Sequence, residues 1–101
     1  MTYVVRTSPN ARRDRDRILA WYNDPERLQG DRFLSDFYLS ARQLEHQPSL
    51  GLLIDHEVRS WHLQIFPYQL WYRVNRDLQT VRILAVVGDR QHQDSFEHRL
   101  T

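Results

Sequence analysis

No lysine occurs among the 101 residues, so all fourteen basic side chains are arginine. Two explanations fit such a set. One is a coding bias toward arginine. The other is recognition of phosphate by planar, bidentate guanidinium groups, which suit it better than ammonium. Composition does not separate them, because thirteen acidic residues leave a net charge of only +1. Cysteine is absent too, which excludes disulfides and thiolate metal sites. The three glycines are scattered, so no glycine-rich nucleotide-binding motif is present. No stretch approaches the ~20 apolar residues that span a bilayer. The opening MTYVVRTSPN lacks the charged and apolar regions of a signal peptide. A cytoplasmic protein that does not engage membranes is expected.

Apolar residues make up 41% and charged residues 27% of the chain, and its length suits one domain over residues 1–101. TYVVRT opens with a short β-type run. In SPNARRDRDRILAWYN, Ser8 can cap a helix and Pro9 suits its first position. Ala11, Ile18 and Tyr22 share one face of that helix. Its remaining surface is almost solid charge, and Asp14 and Asp16 among Arg12, Arg13, Arg15 and Arg17 read as a solvated face with local ion pairs. NDPERLQG breaks the helix, and Asp24–Pro25 can start another. Phe33, Phe37, Ala41 and Leu44 then form a helical apolar stripe, which Pro48 ends.

After SLGLLIDHE, which reads as a connecting loop, the period changes to two. VRSWHLQIF alternates Arg59, Trp61, Leu63 and Ile65 with Ser60, His62 and Gln64. YQLWYRV alternates Leu70, Tyr72 and Val74 with Gln69, Trp71 and Arg73. TVRILAVVG is nearly continuous apolar, as in a central strand. The expected fold is α+β: a strand, a helical hairpin, then a three-stranded antiparallel meander. The hairpin covers one sheet face. His62, Gln64, Gln69, Trp71 and Arg73 then fall on the other.

The ordered set SPNARRDRDRILAWY, RFLSDFYLSARQLEHQPSLG and YQLWYRVNRDLQTVRILAVVGDRQH resembles the RelE/ParE toxin superfamily of bacterial type II toxin–antitoxin systems. The likeness covers nearly the whole chain, with a departure in the first helix at Arg15, where the family usually has an apolar residue. It implies a growth-inhibiting toxin neutralised by a cognate antitoxin, working without a cofactor or metal. Two targets follow from it. RelE-type members are ribosome-dependent mRNA endonucleases, and this is the first expectation; ParE-type members bind DNA gyrase and trap it on DNA. A third outcome is an inert member that keeps only antitoxin binding.

For the nuclease, the resemblance matches Arg90 to the tail arginine that contacts the scissile phosphate. It puts Gln69 where a strand arginine would stand, His62 near a lysine position, His92 near a second basic position and Phe96 near a tyrosine. Cleavage by 2′-OH attack needs a base, a cation for the phosphorane and an acid for the leaving oxygen. Arg90 suits the cation; His92 and His62 suit the proton transfers. Trp71 or Phe96 is placed to stack on a base, and Arg73 and Arg59 to hold flanking phosphates. His46, His56 and His98 show no metal spacing.

Overall fold

The structure, a computed structural model, describes residues 2–91. Its order is β1 (Val4–Thr7), α1 (Pro9–Tyr22), α2 (Gly30–His46), β2 (Leu52–Asp55), β3 (Val58–His62), β4 (Tyr68–Asn75) and β5 (Thr80–Gly88), followed by a 3₁₀ turn at Asp89–Gln91. The strands form one sheet in the order β1-β5-β4-β3-β2. β1 runs parallel to β5, and the other pairs are antiparallel.

The start of α1 follows local chemistry. The Ser8 hydroxyl accepts from Ala11 N–H at 3.1 Å, and Pro9 occupies the first turn. Phe33, Phe37, Ala41 and Leu44 are all buried on α2, facing Leu70, Tyr72, Val81, Ile83 and Val86 of the sheet. The segment after α1 forms only a turn: Arg27 and Leu28 N–H both donate to Asp24 C=O, and Leu28 adopts φ 52°. Asp24–Pro25 therefore does not start a helix.

The meander has four strands, not three, because β2 lies within the segment expected to be a loop. It pairs with β3 across a turn at His56, where φ is 42°. This short edge strand exposes Leu52 and Leu53 alike. Strand pairing makes it, and burial does not, so its residues show no alternation.

Arg15, the first-helix departure from the family pattern, bridges the helices. Its guanidinium donates to the Tyr38 hydroxyl at 3.3 Å and lies 5.8 Å from the Phe37 ring centroid. The side chain thus covers apolar surface with its stem and keeps its charge at the rim.

Two carboxylates read from sequence as surface groups, or not singled out at all, are buried. Asp14 accepts from Val86 N–H at 3.0 Å, 72 residues away. There β5 has run past the end of β1, which pairs only as far as Ile83. Ser8 continues the cover: its N–H donates to Ile83 C=O and its hydroxyl to Leu84 C=O. The first turns of α1 thus supply hydrogen bonds that a longer strand would have made. Asp36 of α2 accepts from the N–H groups of Gln64, Ile65 and Phe66 at 2.8–3.0 Å and fixes the β3–β4 connection.

The Pro–x–x–Gly after α2 also has a structural cause. The buried Tyr72 hydroxyl donates to Pro48 C=O at 2.7 Å and accepts from Gly51 N–H at 2.9 Å. A Cβ on Gly51 would stand 2.7 Å from both that hydroxyl and Ser60 C=O. Burial raises the Tyr72 pKa above its ordinary value, opposed by the Gly51 N–H bond and the Arg59 charge.

Candidate functional site

At the far end of β3 and β4 from their loops with β2 and β5, strand pairing sets His62 opposite Gln69 and Gln69 opposite Val87. The chain then leaves β5 at Gly88, and Asp89 N–H donates to Pro67 C=O at 3.0 Å. This bond brings the Asp89 carboxylate over the strand ends. Its Oδ1 accepts from Gln69 Nε2 at 3.3 Å and lies 3.2 Å from His62 Nδ1. Arg90 follows directly, exposed.

Gln69 has no reach toward a ligand. It is 4% exposed. Its Oε1 accepts from the Ser60 hydroxyl and from Trp71 Nε1, the latter at 2.9 Å, while its Nε2 is held by Asp89. The expected RNA contact at Gln69 is therefore replaced by a structural bridge. Where the family resemblance puts a cationic, phosphate-seeking side chain, this protein has a neutral amide engaged on both sides.

Trp71 does lie on the sheet face away from the helices, but that face is not open at this position. The indole is 0% exposed and clusters with Val58, Ala85 and Val87. A ring so enclosed offers no surface for a base, which corrects the stacking expectation. A β-bulge explains why β5 serves both clusters. The register shifts between Trp71 and Tyr72, setting Trp71 against Ala85 and Tyr72 against Ile83. The extra residue, Leu84, flips the parity of β5.

The other candidates divide by place. His62 lies against Asp89, whose neighbour in the chain is Arg90. The His62 side chain is 61% exposed, and with Nδ1 facing Asp89 its Nε2 is the nitrogen turned away from that carboxylate. Arg73 is exposed but sits four positions along β4 from Gln69, about 13 Å away at strand rise. Arg59 donates to Gly51 C=O at 2.8 Å. His92 and Phe96 lie outside the described residues. Among those residues no cluster of metal-ligating side chains occurs, and no helix is long and apolar enough to cross a membrane.

Asp89, Ser60 and Asp36 escape a reading of the sequence. Each works by bonding a partner remote in the chain, and nothing in their spacing announces it. Exposed apolar side chains gather elsewhere, at Tyr38 and Leu39 on α2 and at Ile65.

Residues 5–93 match the family model described as "ParE toxin of type II toxin-antitoxin system, parDE". No curated protein matches the sequence. Among solved structures, a chain of the chromosomal ParDE system from P. aeruginosa superposes with a TM-score of 0.71 at 18% identity, over 86% of this chain and 96% of that one. A chain of the toxin–antitoxin complex RelBE2 from Mycobacterium tuberculosis gives 0.62 at 24% identity, over 87% and 99%. The likeness to these structures is one of fold.

Proposed function

This chain belongs to the ParE toxin family of type II toxin–antitoxin systems, and from that premise we propose that it arrests growth as a non-catalytic inhibitor of DNA gyrase. The observation that carries this reading is the state of Gln69. A nuclease of the related RelE type is expected to set an arginine at that strand position for the scissile phosphate. Here the position is buried and its polar atoms are spent within the protein. Loss of a phosphorane-stabilising cation weakens catalysis by several kcal/mol, whereas an inhibitor that works by binding has no need of it.

A cognate antitoxin is the expected partner. A segment that folds on binding needs apolar surface to offset its ordering, and Tyr38, Leu39 and Ile65 offer it.

One observation favours a second reading, an endoribonuclease: His62 lies 3.2 Å from the carboxylate of Asp89, the residue that precedes the exposed Arg90. Two assays on the purified chain separate the readings. Gyrase supercoiling is expected to fail in its presence, while message on translating ribosomes stays intact. Cleaved message, abolished by His62→Ala and Arg90→Ala, would overturn gyrase inhibition in favour of the nuclease. Expression without antitoxin is expected to stop growth; cultures that grow normally would remove the toxin assignment from both.

A further inference from the structure

Away from the His62–Asp89 end, the sheet carries a row of like charges. Parallel pairing of β1 with β5 sets Arg6 beside Arg82, and antiparallel pairing of β4 with β5 sets Arg82 beside Arg73. Their strand neighbours Val5, Val81, Ile83, Tyr72 and Val74 pack toward the helices. By strand alternation the three arginines therefore face the other way. All three are exposed.

Directly opposed like charges destabilise a sheet, and acidic neighbours usually offset them. None of the three makes an ion pair among the described residues. Nearby arginines are engaged: Arg59 with Gly51 C=O, and Arg76 with the Ser49 hydroxyl. A cleft of about 720 Å³ runs along this end of the sheet, lined by Arg73 and Arg82, with Glu57 and Asp77 also on its walls. Folding does not call for arginine at three exposed, mutually repelling positions. An external anion would account for them.

We propose that the row Arg6–Arg82–Arg73 binds the phosphate backbone of duplex DNA. It spans two strand spacings, about 10 Å, and guanidinium groups pair with phosphate oxygens two bonds at a time. Single-stranded nucleic acid is bound with the help of aromatic stacking platforms, and the tryptophan on this face is enclosed. An acidic protein segment would gain affinity from apolar anchors. Of the two apolar side chains lining the cleft, Val74 is packed into the helix-side core, leaving Leu53. Charge with only isolated apolar side chains beside it, Leu53 at one sheet edge and Val4 at the other, fits a duplex backbone, independent of base sequence. The site goes beyond the gyrase reading and does not depend on it, because it is read by direct binding.

The test is a fluorescence anisotropy titration of the full chain against a short labelled duplex, repeated over a range of salt. Binding is expected to weaken as salt rises. The variant Arg6→Gln/Arg73→Gln/Arg82→Gln should lower the slope of log K against log salt by about 0.9 for each phosphate that is no longer neutralised. A charge-matched control, Arg12→Gln/Arg32→Gln/Arg42→Gln on the helices, should keep the slope. Removing mutual repulsion should leave the row variant melting at or above the unaltered chain. If it melts lower, the single variants are read instead, each for its own drop in slope. The proposal is overturned by absence of duplex binding, by an unchanged slope in the row variants, or by an equal drop in the control. It is equally overturned if poly-glutamate or single-stranded RNA binds more tightly than the duplex through the same arginines.

Discussion

Asp36 offers the sharpest check on how this fold is held. Its carboxylate is buried and takes three backbone N–H groups: Gln64 on Oδ1, and Ile65 and Phe66 on Oδ2. Asp36→Ala leaves all three without that acceptor. The Phe66 N–H is buried, and an orphaned buried donor costs about 1–3 kcal/mol. The other two are part-buried; if water replaces the carboxylate there, each loss is about 0.5–1.5 kcal/mol. A total loss of about 2–6 kcal/mol is expected, against the 5–15 kcal/mol of a typical domain. At 4–8 °C per kcal/mol for a domain of this size, melting should fall by about 10 °C or more. Asp36→Asn keeps one oxygen, enough for Ile65 and Phe66, but turns an NH2 toward Gln64 N–H; it should lose about half as much. Urea unfolding curves measure both. If the alanine variant stays within about 0.5 kcal/mol of the unaltered chain, the range of a neutral surface change, the carboxylate does not hold the β3–β4 connection and its assigned role is wrong.

Other outcomes follow from the same structure. Gly51→Ala drives a Cβ against Ser60 C=O and the Tyr72 hydroxyl, and should cost about 1–3 kcal/mol; full stability in urea would refute the close approach. Stability should also fall on the alkaline side. Burial raises the pKa of Tyr72 above 10.0, and burial with the Tyr22 hydrogen bond raises that of Tyr68. The unfolded chain loses those protons near pH 10 while the folded chain keeps them, so stability is full below that pH and drains away as pH rises toward the folded values. Urea midpoints from pH 8 to 11 should drop above about 10, less steeply in Tyr72→Phe; a flat profile would contradict the burial of these hydroxyls.

Much of the architecture can be read along the chain. Ser8–Pro9 opens α1, the stripe Phe33–Phe37–Ala41–Leu44 is the buried side of α2, and the alternation in β4 correctly divides Leu70 and Tyr72 from Gln69, Trp71 and Arg73. Less of the candidate site is legible. His62 lies against Asp89, the residue before Arg90, and no spacing marks that contact. Trp71 lies on the face that alternation gives it, yet its burial follows from packing on that face, to which period two is blind.

By itself, the order of residues determined which side of each helix and main strand is apolar, because burial repeats at the period of the local backbone. It also carried the family likeness. Only the folded chain decided where polar groups find partners. Asp14 reaches Val86, Asp36 reaches Phe66, and Asp89 joins His62 to Gln69. Arg6 meets Arg82 only because β1 lies parallel to β5. Hydrogen bonds and charge pairs act over a few ångströms between segments tens of residues apart, and that closeness arises from topology and register.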